Sequence, residues 1–240
     1  MARRIFLLSV VLLLVGPASM LSQTPSEGAN EVWPEFTLNY DPIRKIGLVW
    51  AIRKETSDLT PEKTLETTAT FIYRVKPFVR NALFDDDEHS NERNYMLSFA
   101  ANYELTKSFG DSTTSIGHKV MFDVTPRYNL PGRFLIHNRT RFELRWTEGE
   151  KDFWFRNRMR LEHKIRIGKV RILPYATGEI IWTKGTGSWN RNVLSGGVEL
   201  TIVRRRAMLD LNYQRKNCDT CSFADVNALG VNFNLFFGKR

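Results

Sequence analysis

The stretch 153–167, "FWFRNRMRLEHKIRI", decides how the chain is to be read. Trp154, Arg156, Arg158, Arg160, Glu162, Lys164 and Arg166 occupy every second position, and the residues between them are mostly apolar. A helix turns about 100° per residue, so this order would spread Arg and aliphatic groups around the whole cylinder. A strand sends alternate side chains to opposite faces, so one face becomes charged and the other apolar. The stretch predicts a strand. Soluble strands usually run about 5–6 residues, and the alternation here lasts roughly twice that, which suits a large sheet or a bilayer crossing.

The same pattern recurs on both sides. "KIGLVWAIRKE" (45–55) sets Ile46, Leu48, Trp50 and Ile52 against Lys45, Gly47, Ala51 and Arg53. "RFLIHNRTRFELRW" (133–146) sets Phe134, Ile136, Phe142, Leu144 and Trp146 against His137, Arg139, Arg141, Glu143 and Arg145. "PYATGEIIW" (174–182) places Tyr175, Thr177 and Glu179 on one polar face, and "NVLSGGVELTI" (192–202) does so with Ser195, Gly197, Glu199 and Thr201. The segment 43–238 yields about ten such strands; "WPEFTLNY" (33–40) and "FVRNALF" (78–84) are candidates for more. Bacterial barrels favour even numbers, so ten or twelve is expected.

Connections divide into two kinds. "NLPG" (129–132), "GK" (168–169) and "RRR" (204–206) are short, whereas 105–115, 147–152, 183–188 and 216–222 are polar and longer. Short turns at one end and longer loops at the other are a habit of outer-membrane barrels. Trp146, Trp154, Trp182 and Trp189 flank two of the longer loops, as an interfacial aromatic girdle would. Strict alternation puts Trp146 and Trp182 outward, with Trp154 and Trp189 on the other face.

The N-terminus has Arg3 and Arg4, an apolar run from Ile5 to Val15, then Gly16-Pro17-Ala18-Ser19. That is the order of a secretory signal peptide, over residues 1–22, and the run is too short for a spanning helix of about 20 residues. Its removal takes away Arg3 and Arg4 and no acid, so the net charge falls from +9 to +7. A basic chain could bind nucleic acid, but export removes such partners and the Arg residues are spread along strands.

A soluble sandwich would bury the apolar face, and a transmembrane barrel turns it to lipid. Strand length near the 9–11 residues of a tilted crossing, aromatic-rich apolar faces and a mean hydropathy of only −0.33 beside a signal peptide favour the barrel. The expected fold is all-β: one antiparallel transmembrane barrel of about 10–12 strands, domain 23–240. Its lumen would carry Arg139, Arg141, Glu143, Arg145, Arg156, Arg158, Arg160, Glu162, Glu179, Arg191 and Glu199. If the loop 147–152 closes a tight hairpin, Glu143 falls opposite Arg156, His137 opposite Glu162, and Arg139 and Arg141 opposite Arg160 and Arg158, while Glu179 can face Arg158 from the next strand. Such a face is a structural salt-bridge network or an electropositive constriction favouring small anionic solutes.

"RTRFELRW" (139–146), "RNRMRLEHKI" (156–165), "PYATGEIIW" (174–182) and "RNVLSGGVEL" (191–200) together resemble the bacterial family named domain of unknown function 2490 (DUF2490). The matching positions are Arg139, Arg141, Glu143 and Arg145, then Arg156, Arg158 and Arg160, then Tyr175 and Glu179, then Arg191 and Gly197, with Trp33 before the first strand. The resemblance implies an outer-membrane barrel of unestablished activity. Many outer-membrane barrels end on an aromatic residue, whereas this chain continues past Phe237 with Gly238-Lys239-Arg240.

Other motifs read as structure. Cys218 and Cys221 form a C-x-x-C at an expected hairpin tip of an exported chain, which favours a small disulfide over redox or metal chemistry. Asp85, Asp86, Asp87 and Glu88 lack the spacing of a Ca²⁺ loop and read as a solvated turn. No metal, cofactor or nucleophile elbow is indicated. Asn138, Thr140, Asn157 and His163 interrupt the apolar face and are the positions an outer-membrane lipid-modifying enzyme would use. The leading expectation is a structural barrel or small pore, with outer-membrane lipid and the barrel-assembly machinery as partners. The rivals are that enzyme and a soluble periplasmic barrel around an apolar ligand.

Overall fold

The computed structural model describes residues 29–58, 63–75, 91–110, 114–167, 170–218 and 225–238. The expected signal peptide, segment 78–84, Asp85 to Glu88 and Cys221 lie outside them. Strands β1 (Ala29–Ile43), β2 (Ile46–Ser57), β3 (Lys63–Val75), β4 (Leu97–Phe109), β5 (Thr114–Leu130) and β6 (Phe134–Thr147) form the first half. The second half holds β7 (Glu150–His163), β8 (Ile165–Ile167), β9 (Val170–Thr183), β10 (Ser188–Val203), β11 (Ala207–Cys218) and β12 (Asp225–Gly238). A 3-10 turn, Asn91–Asn94, precedes β4. No described helix is long and apolar enough to cross a membrane.

Each strand pairs with its sequence neighbour, and β12 pairs with β1, which closes the barrel. β8 continues the line of β7 beyond Lys164 and pairs with β9, as β7 does, so the stretch 153–167 is one stave with an interruption. The wall therefore has eleven staves, not the even ten or twelve expected. Nor is it wholly antiparallel, because β1 and β12 run parallel from Ala29↔Val226 to Asp41↔Gly238. The two departures have one cause: an odd number of alternating staves must bring its first and last together in the same direction.

Alternation dictates the faces. Outward lie Val32, Phe36, Leu48, Phe71, Phe122, Leu144, Leu161, Leu194 and Leu229, each more than a third exposed. Inward lie Glu66, Glu104, Asp123, Glu143, Glu179 and Glu199, all buried. Acids facing in and aliphatics facing out exclude the soluble barrel with an apolar interior: the interior is charged, and in water the outer hydrocarbon would be wetted at a cost. This is the architecture of an outer-membrane-type β-barrel.

Local chemistry corrects three expectations. Glu148 and Gly149, with φ of 52° and 90°, make a two-residue turn, so 147–152 is strand rather than loop on both flanks. Positive φ at both positions is the twist-compatible hairpin turn, and glycine suits it. The β6–β7 register is accordingly two residues from the expected one: Arg141 lies opposite Arg156, Arg139 opposite Arg158, His137 opposite Arg160, and Glu143 opposite Trp154. Second, the ladder shifts between Trp189 and Arg191, and this bulge reverses parity. Trp189 thus pairs with Trp182 and is 53% exposed, outward rather than inward, while Trp154 is buried inside. Third, the longest connection, from β3 to β4, sits at the short-turn end with the 44–45, 131–133 and 204–206 turns.

Candidate functional site: an Arg-rich lumen

The lumen has two layers. Near the short-turn end the 3-10 turn folds inward. Arg93 donates from Nη2 to Glu199 of β10 (2.7 Å) and from Nε to Glu162 of β7 (3.1 Å). Glu92 accepts from Arg127 (2.6 Å) and Ser98 (3.1 Å), and Asn94 and Tyr95 are buried. Burial alone would raise the Glu92 carboxyl, but the Arg127 and Arg74 charges hold it below the usual carboxylate range. Arg160 pairs with Glu199 and Glu162 and lies 3.7 Å from the Tyr175 ring centre. Tyr175 donates to Asp210 at 2.9 Å. The Asn91–Asn94 turn is thereby pinned across to β7 and β10.

Above this layer is a cavity of about 610 Å³, towards the end that carries the longer loops. Nine basic side chains line it against five acidic ones. Arg141 holds Asp123 with two parallel bonds (2.6 and 2.7 Å), and Arg156 holds Glu179 the same way (3.1 and 2.9 Å). Glu179 also accepts from Arg139 at 3.2 Å, and Glu143 pairs with Arg145 and Arg156. Further round the wall, Arg53 of β2 and Lys119 of β5 share Glu66 of β3. Two Trp rings carry cations of their own: Arg145 and Arg191 lie over Trp154 at 3.4 and 4.2 Å, and Lys216 and Arg53 over Trp33 at 3.9 and 5.2 Å. Such contacts anchor a cation without neutralising it.

The eleven residues singled out from the sequence all sit on this inner face, in the two layers. Arg158 faces Glu179 across the β7–β9 ladder, as expected, but the carboxylate oxygens of Glu179 are held by Arg139 and Arg156. Arg191 makes no ion pair with a described residue and rests on Trp154. The expected Glu143–Arg156 contact exists, at 3.4 Å, by a diagonal reach rather than a direct pairing. The alternation could have nominated Arg53, Glu66, Glu104, Lys119 and Asp123, all on polar faces, but nothing in the sequence matches one strand's charge to another's across a closed wall. Arg93 carries no periodic signal.

Of the outward polar positions, Asn138 and Asn157 exchange side-chain hydrogen bonds (2.9 and 3.1 Å) and Thr140 accepts from Asn157 at 3.1 Å. His163 stands apart, its ring 4.2 Å from that of Phe134. They do not converge on one reacting centre. Among the described residues no group of three or more His, Cys, Asp or Glu side chains is placed to hold a metal ion. Cys218, at the end of β11, is disulfide-bonded.

No family model and no curated protein matches the chain. Solved structures do resemble it. LpxR from Salmonella typhimurium is similar at 8% identity and a TM-score of 0.49, over 80% of this chain and 83% of that one. The beta domain of the Bordetella autotransporter BrkA is similar at 13% identity and a TM-score of 0.48, over 78% of each chain. OmpT of Vibrio cholerae follows at 10% identity and a TM-score of 0.34, over 79% of this chain and 86% of that one. The likeness is one of barrel shape.

Proposed function

We propose that the protein resides in the outer membrane, with its apolar outer face in lipid, and works as a small structural barrel whose lumen is a positively charged vestibule. The barrel-assembly machinery would insert it, and the DUF2490 resemblance belongs to this reading. The observation that carries the reading is the asymmetry of the lumen. A cavity rich in Arg lies towards one end, and at the other the Arg93 bridge to Glu162 and Glu199 ties an inward-folded segment across the bore. A general diffusion pore needs a continuous water path, and buried cross-bore ion pairs oppose one. The enzyme alternative has less support: no described Ser or Thr is hydrogen-bonded to a described His, and the one hydroxyl–imidazole pair among the described residues, Tyr103 with His118, is exposed.

Two measurements test this. In an outer-membrane fraction, the unboiled protein should migrate faster on a gel than the boiled one. In planar bilayers the wild type should give no steady conductance steps, and Arg93→Ala, which removes the bridge, should give steps favouring anions. Steady large steps from the wild type would refute the closed vestibule and leave an open pore.

A further inference from the structure

We propose that Arg139, Arg141, Arg156 and Arg158 form a binding site for a phosphoryl dianion, entered from the loop-side cavity. The inference rests on the vestibule reading and names its ligand. The four Arg residues occupy the corners of a square in the β6–β7 register, Arg139 opposite Arg158 and Arg141 opposite Arg156. Like charges placed directly opposite repel, so the square needs counter-charge. The neighbouring strands supply two carboxylates for it, Asp123 from β5 and Glu179 from β9. Glu143 is shared with Arg145 and covers one edge only. The four cations therefore exceed their two dedicated acids by two charges.

The excess is localised. Arg158 makes no hydrogen bond or ion pair with any described residue, although it lines the cavity. The Nε of Arg139 is buried and without a partner. Arg158, the cation without a partner, thus stands across the ladder from one whose Nε is also unused, and it is the Arg158 fork that lines the cavity. Arg presents N–H pairs in a planar fork that fits two oxygens of a phosphoryl group, so the vacant donors favour a tetrahedral oxyanion over a spherical halide. A doubly charged group also matches the excess, and the cavity has room for a substituent on the phosphoryl group. Inorganic phosphate and a small phosphomonoester share the chemistry that the site reads.

The test is calorimetric titration of the full-length barrel in detergent with inorganic phosphate and, separately, with phenyl phosphate, at constant ionic strength in chloride. Saturable binding of at least one of them is expected, and the tighter of the two shows whether the substituent is also recognised. Arg158→Gln should weaken binding about tenfold, equal to about 1.4 kcal/mol, and Lys216→Gln, in the same cavity but on β11, should leave it within about twofold. Arg158→Gln should also keep the gel heat shift and melt no lower than the wild type, since it removes a charge crowded by like charges. A structural Arg would instead cost stability. Arg158→Lys, which keeps the charge and loses the fork, should bind with intermediate strength. No saturable binding by protein that keeps its heat shift would overturn the phosphoryl site while leaving the barrel intact. Equal loss in Arg158→Gln and Lys216→Gln would overturn it too, by showing a diffuse potential. A missing heat shift in the wild type would instead strike the barrel reading itself.

Discussion

Glu179→Gln is expected to destabilise the barrel by about 3–5 kcal/mol, because removing one partner of a buried charge cluster leaves the others uncompensated. Glu179 is 5% exposed and accepts from Arg139 and Arg156, with Arg158 facing it across the ladder. Gln occupies nearly the same volume but keeps only one acceptor oxygen and supplies no charge. Four guanidinium groups, those of Arg139, Arg141, Arg156 and Arg158, would then share the region with only Asp123 and part of Glu143 to offset them. Guanidinium denaturation of the detergent-solubilised protein, followed by the loss of the compact gel form, reads the change directly. A double variant that adds Arg158→Gln should recover part of the loss, since it removes one of the cations left behind. No recovery would mean that Glu179 acts through shape alone. A Glu179→Gln midpoint equal to the wild type would show that water in the lumen screens these charges fully.

The second large effect is steric. A Cβ at Gly197 would lie 2.6 Å from the Leu211 carbonyl oxygen, 2.7 Å from the Tyr175 hydroxyl and 2.8 Å from Asn212 Cβ. The nearest of these atoms is backbone in the adjacent strand, so a side chain there cannot be met by a rotamer change alone. Gly197→Ala should cost about 1–3 kcal/mol, the range for overpacking, and Gly197→Leu should block assembly of a heat-resistant barrel. Gly178 is the control, since its Cβ would meet only Leu194 Cδ2, at an ordinary 3.7 Å. Gly178→Ala should therefore migrate and melt as the wild type does. Equal behaviour of the two Ala variants would mean that β10 and β11 move apart at little cost.

Tyr175 belongs to the same corner. Its hydroxyl donates to Asp210, which also accepts from Asn232 at 3.2 Å. Gly197 leaves the space through which that hydroxyl reaches β11. The sequence showed Tyr175 and Gly197 as alternating inward positions, and it offered no reason for a glycine at the second. The reason is tertiary: a large ring from β9 crosses over β10 to a carboxylate on β11.

The alternation by itself determined much. Period-2 patterning assigns every lumen residue of 153–163 to one face and every lipid-facing residue to the other, because side-chain direction in a strand depends only on position along the chain. Arg156, Arg158, Arg160 and Glu162 needed no partner to be placed inward. The barrel class followed from strand length and from charge on one face with aromatics on the other, both local properties. What could not be read locally is whatever depends on a turn or on closure. The two-residue Glu148-Gly149 turn sets the β6–β7 register, and so decides that Arg139 meets Arg158 rather than Arg160. The bulge before Arg191 turns Trp189 outward against the parity of its strand. Closure through parallel β1 and β12 fixes eleven staves, and folding Arg93 into the bore brings Glu162 and Glu199 together. A sequence lays out charges along each strand, but which charges meet depends on register and curvature. Those are properties of the closed wall as a whole, and only the tertiary structure decided them.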